Sequence, residues 1–259
     1  DSLASAMDIP LDFLTDSLDV DERSRYERDE TSTLILVNSP VLNDEGKESE
    51  AIYLTIPVGI VLTPSHIVTI CAYENPVIDK FLENKVKNFD PSDKKMFVLQ
   101  VFEQNVYRFL DCLKKLNLRR NLIEQELYHS SRSSELQQLL RIEKSLVYFV
   151  SSLSTNELLK MKIKRTDLLK IGSDNDYSEL FEDVIIDNSQ ALEMSNVYTH
   201  ILSSTMEAYA SIISNNLNII IHRLTIVTII LLVPSMIAGF YGMNLDFLPF
   251  THFRYSFAF

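Results

Sequence analysis

The first thirty residues are mostly polar and carry a short helical spacing at Leu11, Leu14 and Leu18. Apolar, β-branched runs follow at residues 33–37, 51–56, 58–62 and 67–73, broken by turn residues such as Asn43, Asp44 and Gly46. These runs predict a small sheet. After Pro76 the apolar positions recur at three- and four-residue steps, which predicts a helix over 77–88. Asp90, Pro91 and Ser92 mark a boundary and N-cap. Residues 94–129 then read as one long helix with Phe97, Val98, Val101, Phe102, Val106, Leu110, Leu113 and Leu116 on its apolar positions. Residues 130–134 read as a turn and 135–153 as a second long helix, with Leu136, Leu139, Leu140, Ile142, Leu146 and Phe149. Together they predict an antiparallel hairpin. A sheet covered by helices carries no chemistry by itself.

From Tyr177 to Asn244 there is no proline before Pro234 and no glycine before Gly239, a helical stretch too long for an ordinary globular helix. Within it, residues 224–241 (LTIVTIILLVPSMIAGFY) hold no charge, and His222 and Arg223 stand just before them. The Leu, Ile, Val and Phe side chains of that run supply roughly −3 to −6 kcal/mol toward insertion before the polar residues subtract their cost. The length suits a hydrocarbon core of about 30 Å. A buried core helix is the alternative, but Phe240, Tyr241, Phe247 and Phe250 flank the run as an interfacial belt would. Residues 245–254 read as a loop and 255–259 (YSFAF) as the start of another apolar run, so a second span is expected. The chain begins at Asp1 without a signal-peptide pattern.

Charge narrows the function. Asp and Glu number 36 against 24 Lys and Arg, the reverse of a nucleic-acid binder and suited to cations. The two cysteines, Cys71 and Cys112, form no CxxC and read as reduced core residues, which fits a cytosolic location before residue 220. His66, His129, His200, His222 and His252 show no HExxH spacing, and no glycine-rich nucleotide loop occurs. Enzymatic turnover and ATP-driven pumping therefore have no support in the sequence.

Stepping back from Gly242 by threes and fours gives Gly239, Ser235, Leu232, Thr228, Thr225, Ile221 and Asn218, then Ser214, Ser211, Glu207, Ser204, His200, Val197 and Glu193. A 3.5-residue repeat keeps one face turned toward a bundle axis. In a soluble coiled coil that face is apolar; here it is mostly small or polar. Two readings stand: close helix packing through small residues, or a water-filled pore with Leu and Ile rings as constrictions. The polar face continues below the membrane run, where a packed bundle has little use for it.

The span ends in Tyr241-Gly242-Met243-Asn244, preceded by Pro234 and Ile237-Ala238-Gly239. This YGMN at the outer end of a membrane helix resembles the signature of CorA-type magnesium transporters. Ile9-Pro10-Leu11, residues 15–18 and Arg25-Tyr26-Glu27 are loosely similar to that family's early HPL, EDVL and RPKVE stretches. The resemblance implies a homopentameric α+β membrane protein with both termini in the cytosol of the cell. Its cytosolic α/β sandwich leads through a stalk helix into a pore-lining first membrane helix. The chain then divides into a sheet region (1–75), a helical hairpin region (76–176), a stalk (177–223), a first membrane helix (224–244), an external loop (245–254) and the start of a second membrane helix (255–259). The family's pore face falls on Asn218, Ile221, Leu224, Thr228, Leu232, Ser235, Gly239 and Asn244. It nearly coincides with the spacing-derived stripe, which has Thr225 where the family has Leu224. The selectivity filter would be Gly242, Met243 and Asn244, with Met243 as packing.

The implied function is a passive channel in the inner (plasma) membrane that imports Mg2+, with Co2+ or Ni2+ as further cargo. Cytosolic Mg2+ closes such a pore by bridging acids of neighbouring subunits. The stalk alignment puts these at Asp183 and Glu207. The sheet-side partner falls where this chain has Pro76, so Glu74, Asn75 or Asp79 would have to substitute. Two alternatives stand beside the channel: a zinc transporter of the same superfamily, and a membrane-anchored coiled-coil signalling protein.

Overall fold

The computed structural model describes residues 4, 7–43, 50–129, 133–171 and 175–242. The chain divides into two units, Asp1–Met206 and Glu207–Phe259. In the first unit a helix α1 (Leu11–Leu18) precedes four strands, β1 (Arg25–Arg28), β2 (Thr33–Leu42), β3 (Tyr53–Leu62) and β4 (Ile67–Cys71). Three helices follow, α2 (Pro76–Leu82), α3 (Lys94–His129) and α4 (Ser133–Thr166). A last helix, α5 (Asn175–Tyr241), begins in the first unit and ends in the second.

The sheet runs β1-β2-β3-β4 with every pairing antiparallel. Successive side chains of a strand point to opposite faces. Ile35, Val37, Val58 and Ile60 pack with Phe97, Val98, Val101 and Phe102 of α3, Leu159 and Ile163 of α4, and Phe181 and Val184 of α5. Leu34, Leu36 and Val61 pack with Ile9 and Phe13 beside α1. Both faces are covered, which explains why residues 33–37 are an unbroken apolar run instead of an alternation.

The structure differs from the sequence expectations at several element boundaries, each for a local reason. β1 (RYER) went unpredicted because its residues are charged, yet its backbone pairs with β2 from Arg25↔Leu36 to Arg28↔Thr33. The runs 51–56 and 58–62 form the single strand β3, and β2 extends past residue 37 to Leu42. Pro57 is tolerated because the β3–β4 ladder starts one residue later, at Val58↔Cys71, so its missing N–H costs no bond there. In α1 the buried side chains are Phe13 and Ser17, while Leu11 and Leu18 are exposed. The reason is close approach: a Cβ on Gly59 of β3 would lie 2.0 Å from Ser17 Oγ, so only a small residue on each side fits.

α2 stops at Leu82, short of residue 88. Asn84 adopts φ 54° while Lys85 N–H donates to the Lys80 carbonyl (2.8 Å) and Asn84 N–H to Phe81 (3.2 Å), a Schellman cap. α3 spans the expected residues, but its cap is Asp93, whose Oδ1 accepts from Lys95 and Met96 N–H at 3.1 and 3.0 Å. Tyr177 of α5 donates to the other oxygen of the same carboxylate. α4 continues thirteen residues beyond the expected end, to Thr166. Its antiparallel course against α3 is marked by Arg119 to Gln138 (3.3 Å) and Lys95 Nζ to the Lys170 carbonyl (2.9 Å). The turn at 130–132 lies outside the described residues.

Asn38 of β2 lies beyond the last β1 rung, so its backbone groups need other partners. Its N–H donates to Asn156 Oδ1 of α4 (3.0 Å) and Ser24 Oγ (3.1 Å). Its carbonyl accepts from Asn156 Nδ2 and Asn105 Nδ2, both at 2.9 Å. One side chain on each long helix thus finishes the ladder and fixes both helices to the sheet. Asn156→Ala removes one of the two partners of each Asn38 backbone group, together with the bond Ser24 Oγ donates to Asn156, and is expected to cost about 1–3 kcal/mol. Urea unfolding of the purified protein followed by circular dichroism checks this; an unchanged midpoint would refute the role.

Candidate functional site

From Leu224 to Phe240 the last part of α5 is an uncharged helix. An eighteen-residue window of it reaches a mean hydropathy of 2.1, with none of it buried against the described residues. Its large apolar side chains are 45–65% exposed on every side. The helix is therefore apolar and long enough to cross a membrane.

At about 100° per residue, Asn218, Ile221, Thr225, Thr228, Leu232, Ser235, Gly239 and Gly242 fall within an arc of about 120° on α5. Leu224 and Thr225 sit at opposite edges of this arc, so the two versions of the stripe describe one face. Each hydroxyl on it bonds back to its own helix: Thr225 Oγ1 to the Ile221 carbonyl (2.9 Å), Thr228 Oγ1 to Leu224 (2.8 Å) and Ser235 Oγ to Leu231 (2.7 Å). A hydroxyl that donates inward leaves only its oxygen lone pairs for an outside partner. From Thr225 to Ser235 the side chains of this face thus offer hydrogen-bond acceptors and no charge. Pro234 lies inside the helix, and lacking an N–H it leaves the Ile230 carbonyl without its usual helical donor.

The helix closes at Gly242, whose N–H donates to the Ala238 carbonyl at 2.9 Å. Among the described residues nothing lies within 4 Å of a Cβ placed on Gly239. Met243 and Asn244 lie outside the described residues, as do the expected loop at 245–254 and the apolar start at 255–259.

The four acids expected to bind regulatory metal lie just ahead of α2 (Glu74), within it (Asp79) and on α5 (Asp183 and Glu207). Glu74 (exposed) and Asp79 (half-buried) line a cleft of about 920 Å³ together with Asp21, Glu22, Arg23 and Arg108. Asp183 is exposed on α5, where with Glu103 and Asp187 it acts on Tyr107. Burial first, and then these acids, hold that phenol above its usual range. Glu207 is exposed and opens the second unit. Among the described residues no group of three or more His, Cys, Asp or Glu side chains is arranged to hold a metal. Asn75 drops out as a substitute ligand. It is 1% exposed, and its Oδ1 accepts from Val77 N–H at 2.9 Å as the N-cap of α2, with Pro76 as first helical residue. Pro76 thus occupies the expected acid's place because a helix starts there.

Sequence reading passed over Lys160. It repeats four residues after Asn156 on the buried stripe of α4, and that spacing was the available signal.

The profile of the family described as CorA-like Mg2+ transporter protein matches residues 1–259. The Cobalt/magnesium transport protein CorA of Methanocaldococcus jannaschii is 29% identical over 262 residues, covering 96% of this chain and 77% of that protein. The complete structure of the CorA magnesium transporter from Methanocaldococcus jannaschii superposes with a TM-score of 0.78 at 26% identity, covering 96% of this chain and 77% of that one. The ZntB cytoplasmic domain from Vibrio parahaemolyticus reaches a TM-score of 0.65 at 8% identity, with 83% of each chain covered, a likeness of fold alone.

Proposed function

The chain belongs to the CorA-like Mg2+ transporter family, and on that premise we propose that it is a subunit of a homopentameric channel that admits Mg2+ down its electrochemical gradient. The observation that carries this reading is the exposed, uncharged helix with its acceptor groups gathered on one face. Copies of the helix bury their apolar flanks in lipid and against one another and turn the acceptor face to a common axis.

The chemistry suits the ion. Mg2+ holds six waters tightly and gives them up reluctantly. The outer surface of a hydrated cation is a shell of water hydrogens, which seek acceptors. Back-bonded Thr225, Thr228 and Ser235 oxygens meet that need without the grip of a carboxylate ring. At the outer mouth an amide collar of Asn244 oxygens and Gly242 carbonyls selects the hydrated ion, and Met243 packs behind it. Ile221, Leu224 and Leu232 form rings that stop ions by dewetting when the pore narrows. The stripe between Asn218 and Gly242 holds oxygen donors and no Cys or His. Zn2+ favours nitrogen and sulfur ligands, so the stripe favours Mg2+, with Co2+ or Ni2+ as minor cargo.

The N-terminal unit lies in the cytosol beneath the plasma membrane, and a second membrane helix follows the outer loop. The protein moves an ion and performs no covalent chemistry. Closure by cytosolic Mg2+ would require acids from adjacent subunits, Asp183 or Glu207 on one facing Glu74 or Asp79 on the next, since the described residues of one chain supply no ligand set.

In a strain dependent on Mg2+ uptake, Asn244→Ala is expected to abolish selective uptake while the protein still reaches the membrane; wild-type uptake would exclude the collar. In a flux assay with varied internal Mg2+, Glu207→Ala is expected to raise the half-inhibitory concentration roughly fivefold or more. An unchanged inhibition curve would remove Glu207 from the sensor.

A further inference from the structure

Lys160 of α4 has no exposed surface. Its Nζ donates to Asn188 Oδ1 of α5 at 2.6 Å, and Asn188 Nδ2 donates in turn to the Leu153 carbonyl of α4 at 3.1 Å. Asn188, itself fully buried, is thus clamped between an amine and a carbonyl of the neighbouring helix. The Phe102 ring of α3 lies 5.6 Å from Nζ. An ammonium carries three N–H donors, and among the described residues this one has a single hydrogen-bond acceptor.

The charges around it do not compensate. Glu157, one turn earlier on α4, acts on the amine without forming an ion pair with it among the described residues. α3 presents an aromatic ring and α5 a neutral amide. Glu103 of α3 and Asp183 and Asp187 of α5 act on Tyr107 and do not register at Lys160. A buried cation without a carboxylate is costly, and release of its proton removes the cost.

We propose that Lys160 makes the seating of α5 on α4 sensitive to proton concentration: the neutral amine holds Asn188 in a dry joint, and the protonated amine loosens it. Burial pulls the ammonium down from its ordinary value to about 7, against the weaker upward pull of Glu157. For a base depressed in this way, the burden on the packed state is complete below about pH 7. It is relieved as pH rises from there toward the unfolded lysine value near 10.4. Acidification therefore weakens the joint, and the inference holds whatever ion the chain carries.

The test is amide hydrogen exchange on the full-length protein in lipid nanodiscs between pH 6 and 8, corrected for intrinsic exchange, read over residues 153–163 and 181–192. The wild type is expected to lose about tenfold in protection from pH 8 to 6. Lys160→Met, apolar and similar in length, is expected to give a flat profile. Asn188→Asp gives the ammonium a carboxylate and is also expected to flatten the profile, so the test survives if Lys160→Met does not fold. A flat wild-type profile, or an unchanged slope in the variants, would overturn the proposal. Because the readout is protection rather than flux, it fails or stands separately from the transport reading.

Discussion

An apolar helix in water must find cover, and between Leu224 and Phe240 α5 finds none among the described residues. Burial of apolar surface yields about 25 cal/mol per Å², so leaving this length of helix in water is untenable. Lipid accounts for the Ile and Leu flanks. Lipid tails offer the oxygen lone pairs of Thr225, Thr228 and Ser235 no donor, whereas water does. That mismatch is why the proposed assembly surrounds an aqueous path.

In the proposed pore the hydroxyls would resolve a conflict that any path for a strongly hydrated ion must meet. Donors on the wall would compete with the ion's water hydrogens, and carboxylates would hold the ion too long. A hydroxyl that gives its proton to the preceding turn escapes both problems. The device is local to one helix and needs no partner to form.

In the first unit, packing is directed by polar joints within apolar layers. Asn156 and Asn105 complete the Asn38 backbone where β1 ends, and Lys160 and Asn188 join α4 to α5. Directional bonds in a low-dielectric interior fix how helices seat, and they carry a high cost when unsatisfied. A joint made by one titratable amine is also the place where such packing responds to conditions. Among the described residues the acids proposed for metal regulation form no group of three or more metal-ligating side chains.

Periodicity, composition and the YGMN end of the span are properties of local chain, and local chain was enough to reveal them. Residues 94–129 form a helix because their apolar spacing has room for little else, and 224–241 are apolar enough to span a membrane because no charge interrupts them. The charged strand β1 was invisible, since its place depends on backbone bonds to β2 that side-chain pattern does not encode. Ser17 against Gly59, Asn75 as a cap in place of a ligand, and the burial of Lys160 were equally hidden. Each depends on which residue, distant in sequence, arrives within a few ångströms. A sequence displays its periods and charges along one dimension, whereas contact and burial exist only after the chain has closed in three.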